Sequence, residues 1–295
     1  MLGGMDHVLA VDIGGTKLAA GLVDEDGRLS AGARTPTRGD GPDGLFATLT
    51  GLIDRVLGSA GGIVPVACGI GTGGPMTGAG RAVSPLNIPQ WRDFPLLERV
   101  GEHVGLPTWV DNDAKALALG EGWRGAAREE RNFVAMVVST GVGGGIVLDG
   151  RLLDGDDGNA GHIGHVIAVP DGRECRCGAR GCLEAEASGS AIGAVTGRPA
   201  READAATRER TGTLVGRVVA SVANLLDLQV ACVAGSVALG FGDAFFNAAQ
   251  AEVDRSARLD HSRGARVVPG GLGADGPLIG AGAVAWRGMG RKVLA

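Results

Sequence analysis

Four residues between positions 165 and 182 offer the ligand set of a closed zinc site: His165, Cys175, Cys177 and Cys182. One imidazole and three thiolates satisfy tetrahedral zinc and leave no position for a catalytic water, so the chemistry on offer is structural. The small Gly178 and Gly181 let so short a segment wrap an ion; the alternative is three reactive surface thiols and an unrelated histidine. His162, three positions before His165 in AGHIGH, is surplus to that set. It either hydrogen-bonds a polar substrate or is an ordinary surface or core histidine. Two glycine turns, DIGGTK (12–17) and STGVGGG (139–145), combine approachable backbone N–H groups with the hydroxyls of Thr16, Ser139 and Thr140. Such turns cradle phosphates or simply reverse the chain, and neither matches the Walker A or dinucleotide pattern. Asp12 and Asp113 each follow a short apolar run. Two carboxylates meeting there would serve a hydrated magnesium and an acceptor hydroxyl, or else cap backbone amides. Asp111 and Asn112 are adjacent, and chain direction alone does not say which faces a substrate.

Those groups need elements to carry them. HVLAVD (7–12) reads as a buried strand, AAGLV as its hairpin partner closed by an Asp-Gly turn, and 30–37 as a third strand. Leu45, Leu49, Leu52, Ile53, Val56 and Leu57 recur at helical spacing over 44–57, and a strand follows at 64–71. A glycine and proline loop (72–89) leads to a helix at 96–103, a strand at 108–110 and a helix at 114–125 that starts just beyond Asn112 and Asp113. The pattern then restarts, since NFVAMVVSTGVGGGIVLDG repeats the strand, glycine turn, strand and Asp-Gly turn of the N-terminus. Two related halves follow from that repeat unless the hairpins are alike by composition alone. Residues 184–229 read largely as helix, 230–234 as a buried strand, 241–258 as helix, ARVVPG as strand, and the last segment as a glycine-broken helix.

The composition suits such a scaffold and excludes several others. The 295 residues are 44% apolar and 21% charged, with a net charge of -5, 54 glycines, no tyrosine and ten Trp and Phe together, so the chain is globular with an aliphatic core. Mild acidity without a basic stripe speaks against nucleic acid as a partner. The opening MLGGMDHVLAVDIGG holds no secretion signal, and no window has eighteen uninterrupted apolar residues, which gives the cytoplasm as the expected compartment and no membrane partner. Five cysteines, three of them within eight positions, read as metal ligation and not as a disulfide framework.

Taken in order, DIGGTK, GTGGP, PLN, DNDA, STGVGGG, the GH plus C-x-C-G-x2-G-C-x-E segment and ASG resemble the ROK family of sugar kinases and related repressors over nearly the whole chain. The resemblance implies an α/β, actin-like (ribonuclease H-like), two-lobed sugar kinase ATPase fold with an inserted zinc-binding loop. The lobes implied are 1–113, joined by a C-terminal helix at 280–295, and 114–279, with the zinc segment at 165–182. It also implies ATP, Mg2+ and structural Zn2+ as cofactors, a sugar held between the lobes, and a homodimer. On this reading Asp113 is the catalytic base toward the sugar 6-hydroxyl, and Gly74, Asn87, Asn112, His162 and His165 complete the sugar contacts. Gly14, Gly15, Thr16, Lys17, Thr140 and Gly141 face the phosphates, Asp12 organises magnesium, and Gly235 and Ser236 lie beside adenosine. The family's usual glutamate before G-H is His162 here, a form that resembles N-acetylmannosamine kinases, with glucose or N-acetylglucosamine as alternative acceptors. A sugar-responsive repressor is disfavoured, since only about seven residues precede the first strand and leave no room for a helix-turn-helix.

Overall fold

The computed structural model describes residues 5–295, which form two units: 5–124, 154–160 and 274–295 in the first, 125–153 and 161–273 in the second. In the first unit, β1 (His7–Ile13), β2 (Lys17–Asp24) and β3 (Leu29–Pro36) run as an antiparallel meander. Helix α1 (Gly41–Gly58) follows, then β4 (Cys68–Thr72), the short β5 (Met76–Thr77) and β6 (Ala82–Val83), α2 (Leu96–Val104), β7 (Thr108–Asn112) and α3 (Asp113–Arg124). The sheet order is β3-β2-β1-β4-β7, with β4 parallel to β1 and β7 parallel to β4. The strand expected over 64–71 starts only at Cys68, although Val66 and Ala67 already exchange backbone hydrogen bonds with β1, the Val66 N–H donating to the His7 carbonyl at 2.9 Å and the Leu9 N–H to the Ala67 carbonyl at 2.8 Å.

Side chains alternate across this sheet, so each face has its own partners. Leu9, Val11, Ile13, Cys68 and Ile70 pack with Leu45, Leu49 and Leu52 of α1. The other parity, with Ala10, Gly69 and Trp109 in register, meets the C-terminal helix: a Cβ on Gly69 would fall on the Ala281 carbonyl oxygen.

The second unit contains β8 (Phe133–Val138), β9 (Val142–Leu148), β10 (Arg151–Leu152), a 3-10 turn at Ile163–His165, α4 (Leu183–Ala187), α5 (Gly189–Thr196), a second 3-10 turn at Ala200–Glu202 and α6 (Ala205–Leu226). It continues with β11 (Val230–Ala234), α7 (Ser236–Phe241), α8 (Asp243–Ser256) and β12 (Arg266–Pro269). Its sheet order, β10-β9-β8-β11-β12, repeats the first sheet strand for strand, including the two parallel neighbours. Hairpin composition would reproduce the hairpins alone. Agreement that extends to the parallel strands supports two related halves. The helix expected over 241–258 is α8, which begins just past Gly242; that glycine, at a φ of 57°, separates it from α7, a short helix the sequence did not bring out.

The last helix, α9 (Gly276–Gly288), returns to the first unit and packs on β1, β4 and α3. It is unbroken, contrary to the glycine-broken helix expected. Its glycines serve close approach instead: a Cβ on Gly280 would stand 2.5 Å from the Ala116 carbonyl oxygen of α3. The division expected after Asp113 and before 280 likewise shifts, to Arg124 and Ala274, because α3 lies against α9 and β4 and so belongs with the first sheet.

Candidate active site and metal centre

In the first unit the carboxyl ends of the parallel strands carry the candidate chemistry. Asp12 is next to last in β1, in register with Gly71 of β4, which pairs in turn with Asp111 of β7. By strand parity Asp12 and Asp111 share the α9 face, whereas Thr72 and Asn112 share the opposite one. The two neighbours therefore point apart: Asp111 is buried against Lys115 at 2.9 Å, and Asn112 faces the other way.

Asp113 opens α3 and is half-buried. A Cβ on Gly71 would lie 3.6 Å from the Asp113 Cα and 4.0 Å from Asp12 Oδ1, so the Asp113 backbone and the Asp12 carboxylate both border this glycine. Burial first, and then the charge of Asp113, push the Asp12 carboxyl up to about 7 against the opposing pull of Lys17 and Arg34. Asn112 Oδ1 and Asp113 Oδ1 both accept from the Ala114 N–H, at 3.0 and 2.8 Å, the capping expected of an Asn-Asp pair.

The DIGGTK turn is closed by the Gly14 N–H donating to the Lys17 carbonyl at 3.0 Å and anchored by Thr37 Oγ1 donating to the Gly14 carbonyl at 2.7 Å. Gly15, Thr16 and Lys17 are exposed at its tip. A Cβ on Gly15 would sit 2.7 Å from the Asn87 Cβ, so this turn and the PLN loop touch and the position requires glycine. Sequence spacing did not bring out what holds that loop: Arg92 Nη1 donates to the carbonyls of Pro85, Ile88 and Trp91 at 3.0, 2.9 and 2.6 Å. Gly74 accepts from the Leu86 N–H at 3.2 Å, which places it on the same loop.

In the second unit the STGVGGG turn joins three elements. Ser139 and Ser236 hydroxyls lie 2.9 Å apart, the Gly189 N–H donates to the Ser139 carbonyl at 2.7 Å, and the Ser190 N–H donates to the Thr140 carbonyl at 3.2 Å. Thr140 is exposed and Gly141 half-buried at the tip. Gly235 has φ 101°, and a Cβ there would run into Val138, so the β11 to α7 corner beside this turn accepts only glycine. The turn, the ASG segment and the GS of VAGSV are thus one local assembly.

His165, Cys175, Cys177 and Cys182 converge, with their candidate ligand atoms all within 4.8 Å of one another. Cys177 and Cys182 Sγ atoms are 3.7 Å apart, and Cys175 Sγ is 3.7 Å from His165 Nδ1. Zinc–sulfur bonds of about 2.3 Å in a tetrahedron place ligand atoms about 3.8 Å apart; these two spacings match, and the ligand types suit that ion. The segment is pinned by Glu186, whose Oε1 accepts from the Arg173 N–H at 2.7 Å and whose Oε2 accepts from Arg210 at 2.6 Å. Burial pushes the Glu186 carboxyl up, but these donors outweigh it and hold it below the usual range. The His162 ring lies 6.1 Å from that of His165, at an interplanar angle of 20°, on the 3-10 turn that packs on β9. Glu184 closes the C-x-C-G-x2-G-C-x-E motif, yet spacing assigns it no partner; here its Oε2 accepts from the Val142 N–H at 2.8 Å and ties the metal segment to the glycine turn.

A mixed α/β fold built on two sheets of identical order, with a His/Cys metal cluster, defines a member of the actin and hexokinase superfamily. The chain belongs to the ROK family, whose model matches residues 8–287. It is 40% identical over 250 residues to the N-acetylmannosamine kinase of Citrobacter koseri, covering 79% of this chain and 84% of that protein. Among solved structures, a ROK hexokinase from Thermus thermophilus is 32% identical with a TM-score of 0.83, over 96% of this chain and 99% of that one. A ROK-family glucokinase from Streptomyces griseus, in complex with glucose and AMPPNP, is 30% identical with a TM-score of 0.81, over 95% and 99%. Among the described residues no helix is long and apolar enough to cross a membrane.

Proposed function

We propose that the acceptor of this ATP-dependent sugar kinase of the ROK family is N-acetylmannosamine, phosphorylated on its 6-hydroxyl. The observation that carries the choice of sugar is His162, held on the same turn as the zinc ligand His165. A neutral imidazole N–H donates to an acetamido carbonyl, whereas an ionised glutamate only accepts. A likeness of 40% identity to an N-acetylmannosamine kinase, over 79% of the chain, supports the same acceptor.

In the reaction Asp113 takes the proton of the sugar 6-hydroxyl as that oxygen bonds to the γ-phosphorus and the bond to the departing ADP oxygen breaks. Asn112, Asn87 and Gly74 orient the sugar; alignment of the hydroxyl with the phosphorus supplies most of what a phosphoryl transfer asks of a protein. The glycine turns at Gly14, Gly15, Thr16 and Lys17 and at Thr140 and Gly141 receive the phosphates, with Gly235 and Ser236 beside adenosine. Asp12 would hold a hydrated Mg2+, which neutralises charge on the phosphates; a buried carboxylate beside a second one suits a dication. Zn2+ in the His165, Cys175, Cys177, Cys182 set stiffens the turn carrying His162 and His165 and takes no part in phosphoryl transfer. A cytoplasmic homodimer belongs to the same proposal.

A second reading, a kinase for glucose, draws on the hexokinase and glucokinase likenesses. ADP release measured across N-acetylmannosamine, N-acetylglucosamine and glucose separates the two. Highest kcat/KM for N-acetylmannosamine is expected; efficient turnover of glucose with none of N-acetylmannosamine overturns the choice. His162→Glu is expected to move the ratio of kcat/KM values toward glucose by about tenfold, and an unchanged ratio rejects the role of His162.

A further inference from the structure

The chemistry above leaves unused a buried charge cluster whose members Asp111 and Lys115 flank Asp113 along the chain. Lys115, in the first turn of α3, is 1% exposed. Its Nζ lies 2.9 Å from Asp111 Oδ1, 2.9 Å from Asp154 Oδ1 and 3.1 Å from the Gly158 carbonyl oxygen. Asp111 is buried and its Oδ1 also accepts from the Asn112 N–H at 2.8 Å. Arg287 of α9 completes the group, with Nη2 2.6 Å from Asp154 Oδ2 and Nη1 3.6 Å from Asp111 Oδ2. The charges facing Lys115 are therefore Asp111 from β7, Asp154 from the segment 154–160 and, through these, Arg287 from α9. Two cations and two carboxylates balance.

An ammonium loses much of its hydration at this depth, and only complete pairing makes the placement tolerable. What the pairing does is visible in its position. Asp111 is the second residue before Asp113 and Lys115 the second after it, so their i,i+4 bridge clamps the strand-to-helix corner on both sides of the carboxylate. Apart from that clamp, the corner is held by the Ala114 N–H, which Asn112 and Asp113 share. Asp154 and Arg287 tie the clamp to α9, an element that packs on β1 next to Asp12.

We infer that Lys115, through its bridge to Asp111, is a positioning residue that sets the orientation of Asp113 at the β7 to α3 corner. The inference rests on the proposed role of Asp113 as the base. Lys115 touches no substrate; it acts by restricting where the neighbouring carboxylate points, and a misplacement of an ångström in such a group costs orders of magnitude in rate.

The experiment is a double-mutant cycle in the full-length, metal-loaded protein, read as kcat and sugar KM well below each variant's melting temperature. Lys115→Met is expected to lower kcat about 30-fold with sugar KM changed less than about threefold. Lys115→Arg, which keeps the bridge, is expected to recover most of that loss. In an Asp113→Asn background Lys115→Met is expected to cost nothing further, because the group it positions is gone. A loss of the same factor with and without Asp113, or an unchanged kcat, overturns the inference. Should Lys115→Met fail to fold, Asp154→Asn removes the half-exposed partner and is put through the same cycle, with the same two outcomes deciding. Full activity of Asp113→Asn overturns instead the assignment of the base, which keeps the two failures apart.

Discussion

Asp12 carries a testable consequence of its surroundings. In the unfolded chain it ionises near the ordinary carboxylate value of about 4, whereas in the fold burial and the neighbouring Asp113 push it up to about 7. Between those limits the folded protein binds more protons than the unfolded one, so rising pH removes stability, and the loss is complete above the folded value. Burial pushes Asp111 up as well, so its contribution has the same sign. The metal-free melting temperature is expected to fall by roughly 5 °C from pH 5 to pH 8. Asp12→Asn should flatten most of that decline and be the more stable protein at pH 8; thermal scans at matched ionic strength check it, and a parallel decline in both proteins rejects Asp12 as its source. The residue types at this site were legible in the sequence, since DIGGTK and DNDA announce carboxylates at strand ends. Their pairing was not. Asp154 lies 39 positions from Lys115, and no local spacing joins them. Likewise, which of Asp111 and Asn112 turns away from Lys115 depends on strand parity, fixed only once β7 is in register with β4.

Among the elements, strands and amphipathic helices read well because alternation and helical spacing are local signals, as for α1 and the β1 to β2 hairpin. Glycine misled where its use is tertiary. In α9 the sequence shows a helix full of breakers, while the fold uses Gly280 to bring α9 against the Ala116 carbonyl, a contact with residues far along the chain. The metal segment was the reverse case: with little regular structure it was still legible, because its spacing is a ligand count. That element yields its own prediction. Cys177 is exposed, so replacing it disturbs little packing, and its loss leaves three ligands for the ion. Cys177→Ser is expected to lose bound zinc, to lower the melting temperature, and to raise the sugar KM about tenfold through the turn carrying His162 and His165, since changes around a metal site commonly cost 10- to 100-fold. Zinc content by elemental analysis beside sugar kinetics checks it. Full zinc occupancy with unchanged kinetics would show that the fourth ligand is dispensable.

For the whole molecule, the order in which the chain contributes its parts matters more than any single contact. The first unit is assembled from residues 5–124, 154–160 and 274–295, so it cannot close until the C-terminus has been made. The reason is physical: α9 covers one face of β1 and β4 with Leu278, Ala281, Ala285 and Trp286, all buried, and the Trp286 indole N–H donates to the Asp24 carbonyl at 3.1 Å. Without α9 that face of the sheet is bare, and Arg287 no longer neutralises Asp111 and Asp154. The second unit has its own core, from Val134, Met136 and Val138 of β8 to Leu214, Val218, Phe245 and Val253 of α6 and α8, and none of those residues comes from α9. A chain ending at Gly273 is therefore expected to expose the first unit to protease throughout 5–124 while residues 161–273 resist and keep their metal. Limited proteolysis with mass mapping, compared with the full chain, reads both halves at once. Equal protection of 5–124 in the two chains would mean that α9 is a late addition to a sheet already stable by itself. Loss of protection in both units would mean instead that the second core depends on the first, and that the two related halves fold as one body.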